Sequence, residues 1–296
     1  MTLNERFDFF CRAIADFGVR HVVIRQYNKE VFRHHFEPAG LCEQFSIAKS
    51  VTGTAVGFAI SEGLFSLEDP VLPYFEDKIK GTMSENWQKL IVKHLLTMQM
   101  GFDKPYLMAF QRKEMKETDW EEFVLTKEMT DRPGRYFKYS NAGPYLAGRL
   151  IERTAGVPLT DYIEERIFRP LGIREYTWGK DPEGHTFAAS DLFLKTEDTA
   201  RFGQLWLDRG VWEGKQLVPK EWIKKTWDQV IATNEGESDY SLLFWRGRND
   251  SLCAVGRHGQ YCVMIPEKSI VFAMNSMDMT NENLMEYFWT YLYPYM

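Results

Sequence analysis

The chain has 296 residues and a net charge of −6, with 44% hydrophobic and 26% charged residues. This composition is typical of a globular protein that is long enough to bury a sizeable core. The negative charge and the lack of a lysine and arginine stripe argue against nucleic-acid binding. No run approaches the ~18 apolar residues that a membrane span needs, so we expect no membrane association.

Charged residues interrupt the first 18 positions, which therefore predict an amphipathic helix rather than a signal peptide. Thr2 and Glu5 have the spacing of a capping box at its start. The protein is accordingly predicted to be cytoplasmic. Free thiols fit a reducing compartment, and we expect them at the four cysteines, which lack metal-ligand spacing: Cys11, Cys42, Cys253 and Cys262.

Two β-runs follow, at 19–28 and 29–38, and predict a hairpin that turns near Asn28. A helix of small residues comes next and ends near Gly63, a typical helix C-cap. Helical patterns then dominate to about residue 190; they lie at 84–99, 120–129, 143–156 and 160–172. Four glutamates in this stretch are expected on a solvated face: Glu114, Glu117, Glu121 and Glu122.

A further helix is predicted over 196–210, with Thr196 as its N-cap. Beyond residue 239 the pattern changes to short strands, and a helix over 281–296 closes the chain. The predicted strands lie at 240–245, 251–256, 260–265 and 269–275.

Strands near both ends of the chain, separated by a long helical stretch, predict an α+β fold. We expect one antiparallel sheet flanked by helices, built from residues 1–62 and 190–296. Residues 63–189 would form a second, mostly helical subdomain, with a site in the cleft between the two.

Ser46 and Lys49 stand three residues apart at the start of the small-residue helix, so their side chains project from one face about 5–6 Å apart. A serine in the first turn lies at the positive end of the helix dipole, which favours an oxyanion there. Serine needs a base to act as a nucleophile, and a buried lysine can help because desolvation lowers its pKa. S-x-x-K alone is nevertheless a common chance pattern.

Tyr139 and Asn141 flank Ser140 immediately before a predicted helix, and on an extended segment they would point to one side. A phenol beside a cationic group can act as a general base. The alternative is a tyrosine that packs on the core and an asparagine that caps the helix.

A third segment, Arg257-His258-Gly259, leads into a predicted strand whose edge could face a substrate. Its glycine permits close approach of the backbone, and an N–H just after it suits an oxyanion hole. Taken alone, this is an ordinary strand start.

In this order, the three segments resemble the motifs of the penicillin-recognising serine hydrolases. The likeness is to class C β-lactamases and their esterase, peptidase and amide-hydrolase relatives, and it extends from about residue 20 to the end. The sequence around these motifs also resembles this family, at 94–102, 133–156, 167–178 and 258–276. The resemblance implies a β-lactamase/transpeptidase-like fold.

The resemblance also implies that Ser46 is the acylated nucleophile and that Lys49 and Tyr139 share the general-base and proton-shuttle work. Together with Arg257, the lysine and tyrosine would form a coupled titrating cluster. We expect Tyr139 to take the serine proton while Lys49 lowers its pKa; the alternative is neutral Lys49 as the direct base.

Substrate contacts are implied in the same way. Asn141 would orient the substrate amide or carbonyl, and the backbone N–H groups of Ser46 and Gln260 would form the oxyanion hole. Arg257 and Gly259 fall at the first and last positions of the third motif, which reads Arg-His-Gly instead of Lys-Thr-Gly. This departure disfavours recognition of a β-lactam carboxylate.

The favoured function is therefore a serine hydrolase of small esters or amides that acts through an acyl-enzyme. A true β-lactamase or D-amino-acid peptidase is the first alternative, and a binding or sensor module without turnover is the second. Zinc, phosphate-loop and dinucleotide motifs are absent, so no metal or cofactor is expected. The partner is a small molecule, and the sequence leaves the oligomeric state open.

Overall fold

The computed structural model describes residues 1–233, 238–280 and 283–296. Within these ranges the α-helices are α1 Leu3–Ile14, α2 Ile47–Ser61, α3 Glu85–Gln88, α4 Val92–Leu96, α5 Ala109–Arg112, α6 Trp120–Leu125, α7 Ala142–Ala155, α8 Leu159–Ile163, α9 Thr196–Leu207, α10 Lys220–Asp228 and α11 Leu284–Tyr291. The strands are β1 Val19–Gln26, β2 Lys29–His35, β3 Cys42–Glu43, β4 Thr177–Trp178, β5 Leu192–Leu194, β6 Val211–Trp212, β7 Lys215–Gln216, β8 Trp245–Arg246, β9 Leu252–Gly256, β10 Gln260–Ile265 and β11 Ile270–Ser276.

One six-stranded antiparallel sheet has the order β2-β1-β11-β10-β9-β8. Its centre joins the two ends of the chain, because β1 pairs with β11 from Val19↔Ser276 to Gln26↔Ile270. The predicted α+β fold with one sheet from both ends is confirmed. The predicted first hairpin is also confirmed, with positive φ at Tyr27 and Asn28 in its turn.

The two faces of the sheet bury different sets of side chains, as the period of two along a strand requires. In β10, Cys262 and Met264 join the larger core, which contains α2, α7 and α9. Val263 and Ile265 point the other way, into a smaller core with α1 and α11. Helices therefore cover both faces, and the predicted capping box of α1 at Thr2 is present.

Helix α2 lies at the centre of the molecule. Its residues from Ile47 to Ala59 are all buried, and it packs against α7 on one side and β9 on the other. Small side chains allow this approach: a Cβ added at Gly57 would overlap the indole of Trp222 in α10. The division of the chain at residues 62 and 190 stays a prediction.

Several predicted elements differ from those observed. The helix predicted at 84–99 is two helices, α3 and α4, because Ile91 between them is extended and bridges Pro70. The strand predicted at 240–245 is reduced to β8, since Leu243 has a φ of 65° and its backbone contacts α4 through Leu96 O.

Local chemistry was also wrongly predicted in places. Lys195, not Thr196, is the N-cap of α9, and the Thr196 hydroxyl donates instead to Asn275 Oδ1 at 2.7 Å. The predicted helix at 160–172 is α8 followed by a π-helix, Glu164–Phe168. Two small sheets, β3-β5-β4 and β6-β7, were not predicted, and nor were α5 and α10. The start of the helix predicted over 281–296 lies outside the described residues.

The described cysteines are all free, as expected, and they are also buried. Among the described helices, none is long and apolar enough to span a bilayer. Within the same ranges, no group of three or more histidine, cysteine and acidic side chains is arranged to hold a metal ion.

Candidate active site

Ser46 occupies the N-cap position of α2 and is only partly buried. Phe45 before it has a φ of 45°, an uncommon value for a residue with a bulky side chain. This sharp entry places the hydroxyl at the amino end of the helix, where the dipole favours negative charge. Ser46 therefore has the environment that the sequence predicted for it.

Lys49 lies one turn further along α2, and its side chain is 1% exposed. Its Nζ is 2.8 Å from Ser46 Oγ and donates to Ala189 O at 2.7 Å. Burial lowers the pKa of Lys49 to about 7, with a further lowering by Arg112 and an opposing effect of Asp191. This amine therefore loses its proton more readily than an exposed lysine does.

The charged neighbours of Lys49 were not found from the sequence. Arg112 donates to both carboxylate oxygens of Asp191, at 2.6 and 3.0 Å, and to Ser190 Oγ at 3.1 Å. Burial raises the pKa of Asp191, but the hydrogen bonds from Arg112 and Ser190 outweigh it and hold that pKa below its usual value. Asp191 is thus a carboxylate paired with an arginine.

Arg257 does not belong to this cluster. Its side chain is exposed, and the charged groups that act on the pKa of Lys49 are Arg112 and Asp191. The predicted grouping of Arg257 with Lys49 and Tyr139 is therefore wrong, because exposed Arg257 is not among the charged groups that act on the pKa of Lys49. The physical reason is that Arg257 lies in the turn between β9 and β10, from which its side chain extends into solvent.

Tyr139 does lie beside Lys49, with 5.0 Å between Nζ and the centre of the phenol ring. The ring stacks on Trp245 of β8, with centroids 5.6 Å apart and an interplanar angle of 19°. It is partly exposed, unlike the lysine. The structure therefore brings Ser46, Lys49 and Tyr139 into one place from two distant segments.

Asn141 is buried at the N-cap of α7, but its side chain makes no capping hydrogen bond. Its Nδ2 instead donates to Leu107 O at 2.9 Å, and its backbone N–H donates to Tyr106 O at 3.1 Å. Asn141 thereby ties the 106–107 segment to the start of α7. Its role in orienting a substrate stays a prediction.

His258 and Gly259 lie with Arg257 in the β9–β10 turn, and both have positive φ, 65° and 81°. The His258 ring packs edge-on against Phe45, with centroids 5.3 Å apart, next to Ser46. Just before this turn, the backbone at Gly256 lies very close to the segment that precedes Ser46, and a Cβ added at Gly256 would clash with Gln44 O. Gly256 was missed because a glycine that ends a strand is unremarkable in sequence.

The Gln260 side chain is 1% exposed and holds the turn from inside. Its Nε2 donates to Arg257 O at 3.1 Å and His258 O at 3.2 Å, and its Oε1 accepts from Asn275 Nδ2 at 2.8 Å. The contribution of its backbone N–H to an oxyanion hole stays a prediction.

This arrangement has a definite chemical capacity. A hydroxyl at a helix amino terminus contacts an amine whose pKa is near neutrality. A neutral amine can accept the hydroxyl proton, and the helix dipole favours the oxygen anion that results.

A family model described as Beta-lactamase matches residues 18–290. The chain belongs to the beta-lactamase family. Curated relatives include hydrolases and a methylbutanoyltransferase, and relatives with solved structures share the fold described above. The match covers both sheet segments and the helical stretch between them, so the resemblance of the motifs is confirmed at the level of the family.

Known proteins place the chain within this family. The 6-aminohexanoate-dimer hydrolase of Paenarthrobacter ureafaciens is 25% identical over 275 residues, which are 83% of this chain and 69% of that protein. For several other curated relatives, the matched part is about half of their length or less.

Solved structures show the same fold. A Bacillus anthracis protein, provisionally named a 6-aminohexanoate-dimer hydrolase, has a TM-score of 0.83 at 19% identity, covering 96% of this chain and 80% of its own. A D-stereospecific amidohydrolase from Streptomyces sp. has a TM-score of 0.74 at 20% identity, covering 97% and 98%.

Proposed function

We propose that this protein is a serine hydrolase that cleaves small amides or esters through an acyl-enzyme on Ser46. The observation that carries the proposal is the 2.8 Å contact between Ser46 Oγ and the amine of buried Lys49. Burial of a cationic amine is energetically unfavourable, and this supports a chemical role for the lysine at this position.

In the first step, the Ser46 hydroxyl proton passes to neutral Lys49 as Oγ bonds to the substrate carbonyl carbon; the direct contact of Lys49 with Oγ favours it over Tyr139 as the base. The proton then moves to the leaving nitrogen or oxygen as its bond to that carbon breaks. Water then gives a proton to Lys49 as its oxygen bonds to the acyl carbon; the bond from that carbon to Ser46 Oγ breaks, Lys49 returns the proton to Oγ, and the carboxylic acid leaves. Tyr139 is close enough to Lys49 to share this proton traffic.

Two further groups are proposed to stabilise the oxyanion, the backbone N–H of Ser46 and that of Gln260. Asn141 and the His258 face of the turn would contact the substrate. The names of two relatives, 6-aminohexanoate-dimer hydrolase and D-stereospecific amidohydrolase, favour amide substrates.

A fluorophosphonate probe tests the nucleophile directly. Mass spectrometry of the labelled protein is expected to find the adduct on Ser46, and both Ser46→Ala and Lys49→Met should lose the label. An adduct on another serine, or undiminished labelling of Lys49→Met, would contradict the proposal.

A β-lactamase or D-amino-acid peptidase is the second candidate, which family membership itself favours. Comparing hydrolysis of nitrocefin with that of p-nitrophenyl acetate and a D-alanyl anilide separates the candidates. We expect turnover of the ester or anilide to exceed that of nitrocefin. Labelling without turnover of any of these substrates would instead indicate a binding module.

A further inference from the structure

The carbonyl that holds Lys49 belongs to a short segment, residues 189–191, whose conformation is unusual. Asp191 has a φ of 63°, in the left-handed region where glycine is the ordinary residue. Two residues earlier, Ala189 O receives the hydrogen bond from Lys49 Nζ. The position of the lysine amine therefore depends on how this segment is held.

Arg112 holds it from a distant part of the chain. It is the last residue of α5, and its guanidinium forms two parallel hydrogen bonds to Asp191, 79 positions away. Ser190 Oγ accepts a third hydrogen bond and itself donates to Asp191. The guanidinium also lies over the Phe187 ring, 4.0 Å from its centre. A bidentate pair of this kind fixes direction as well as distance.

We propose that Arg112 and Asp191 form a clamp that positions Lys49: paired, they keep Ala189 O where it holds the lysine amine against Ser46. Arg112 is thus a positioning residue that acts through the 189–191 segment. This inference deepens the proposed function and rests on it for its effect on turnover.

The charges around Lys49 make the clamp distinguishable from a merely structural pair. The groups near Lys49 are Arg112, Asp191 and Tyr139. Glu43 in turn lies near the pair formed by Arg112 and Asp191. Arg112 lowers the pKa of Lys49 and Asp191 raises it, so the two effects partly cancel while both are present. Removing Arg112 therefore leaves only the raising effect of Asp191 on the pKa of Lys49, and removing Asp191 leaves only the lowering effect of Arg112.

The test uses two variants with opposite charge effects, Arg112→Met and Asp191→Gly, the latter suited to the positive φ. The pH dependence of kcat/KM is measured with p-nitrophenyl acetate from about pH 5 to pH 9. Arg112→Met should move the rising limb to higher pH, and Asp191→Gly should move it to lower pH. Each should lower the plateau about 10- to 100-fold, because misplacement of a reacting group costs that much.

Arg166→Met is the matched control. Arg166 makes a bidentate pair with Glu62, at 2.7 and 3.1 Å, and lies 3.7 Å over the Tyr162 ring, at the opposite end of α2 from Ser46. It should leave the pH profile unchanged. Arg112→Lys keeps the charge but lacks the fork. In this variant the rising limb of the pH profile should stay at the wild-type pH, while the plateau value of kcat/KM falls.

Direct titration of Lys49 separates this inference from the proposed function. The NMR signal of its Cε methylene, in protein labelled on lysine and assigned with Lys49→Arg, is followed against pH in each variant. Opposite shifts in a protein without turnover would support the clamp and reject the function. Turnover with unchanged or parallel shifts would overturn the clamp alone. Asp191→Asn and Arg112→Gln, which also remove the charges, serve if the first variants do not fold.

Discussion

Glu121 and Glu122 are adjacent and chemically identical, yet their surroundings differ completely. Glu122 is partly exposed and pairs with the exposed Lys80. Glu121 is 1% exposed and accepts hydrogen bonds from Arg149 at 2.7 Å and from Arg153 at 2.6 Å. The expectation that both face solvent is therefore wrong for Glu121, which links α6 to α7.

Replacing these two glutamates separately should show the difference. Glu121→Gln is expected to cost about 2–4 kcal/mol in the free energy of unfolding, because it leaves buried arginine charge short of a partner. Glu122→Gln should cost less than about 1 kcal/mol, as for other exposed pairs. Urea denaturation at neutral pH measures both, and equal effects would contradict the assignment.

The pH dependence of stability provides a second check on Glu121. Burial raises the pKa of Glu121, but hydrogen bonds and charge from Arg153 and Arg149 outweigh it and lower that pKa. Its stabilising contribution is therefore present above the unfolded value, about 4.3, and is lost as pH falls through the folded value. Glu121→Gln should show a shallower loss of stability in acid than the wild type.

Lys49 leads to a prediction about activity. The proposed base, Lys49, must be neutral to accept a proton, and its pKa is lowered to about 7, so kcat/KM should rise with pH through this value. Lys49→Met should lose about 10²- to 10⁴-fold in kcat/KM. Measured beside it, Tyr139→Phe decides the proton acceptor. Full activity in that variant would reject the expectation that Tyr139 takes the serine proton.

At the scale of the element, α2 shows how side-chain size controls the site. Helix α2 carries the proposed nucleophile at its start and passes between α7 and the sheet, where large side chains would not fit. The glycines of α2 differ in how much space surrounds them. Gly57 faces the Trp222 indole directly, whereas a Cβ on Gly53 would lie 3.0 Å from Leu242 O and 3.1 Å from Leu243 Cβ.

Alanine at these two glycines should have different consequences. Alanine favours a helix by about 1 kcal/mol over glycine, but overpacking costs about 1–3 kcal/mol. Gly57→Ala is expected to be clearly destabilised, while Gly53→Ala should remain within about 1 kcal/mol of the wild type. Urea unfolding of both variants measures the order, and a Gly57→Ala protein more stable than the wild type would disprove the packing argument.

At the scale of the whole molecule, two cores enclose the central sheet, and the four cysteines are distributed between them and their margins. Burial raises the pKa of Cys11, Cys42 and Cys253 to about 11, and it also raises that of Cys262. These thiols are therefore protonated and shielded in the native protein.

Thiol reactivity should consequently report global unfolding. Ellman's reagent is expected to react with none of the cysteines in native protein at mildly alkaline pH, and with all four in guanidinium chloride. The measurement is the stoichiometry and rate of release of the coloured thiolate. Rapid reaction of one thiol in native buffer would show that the core around it opens locally.

Patterns that depend on near neighbours in the chain were predictable. The first hairpin, the capping box at Thr2, three of the four late strands and the closeness of Ser46 to Lys49 all follow from spacing over a few residues. Periodicity reports these features because a helix turn or a strand pair is set by local geometry. The likeness to the family, which the match to residues 18–290 confirms, was visible for the same reason.

Properties that depend on distant partners were decided only by the tertiary structure. The pKa of Lys49 is lowered to about 7 because the fold buries the amine and places Arg112 near it, against the opposing effect of Asp191. Glu121 is buried because α7 presents two arginines to it. Each of these partners lies tens of residues away in the sequence from the residue that it affects. The identity of a charged residue does not show whether folding will remove its side chain from water. Burial and charge pairing belong to the assembled molecule, and here they set both stability and the proposed chemistry.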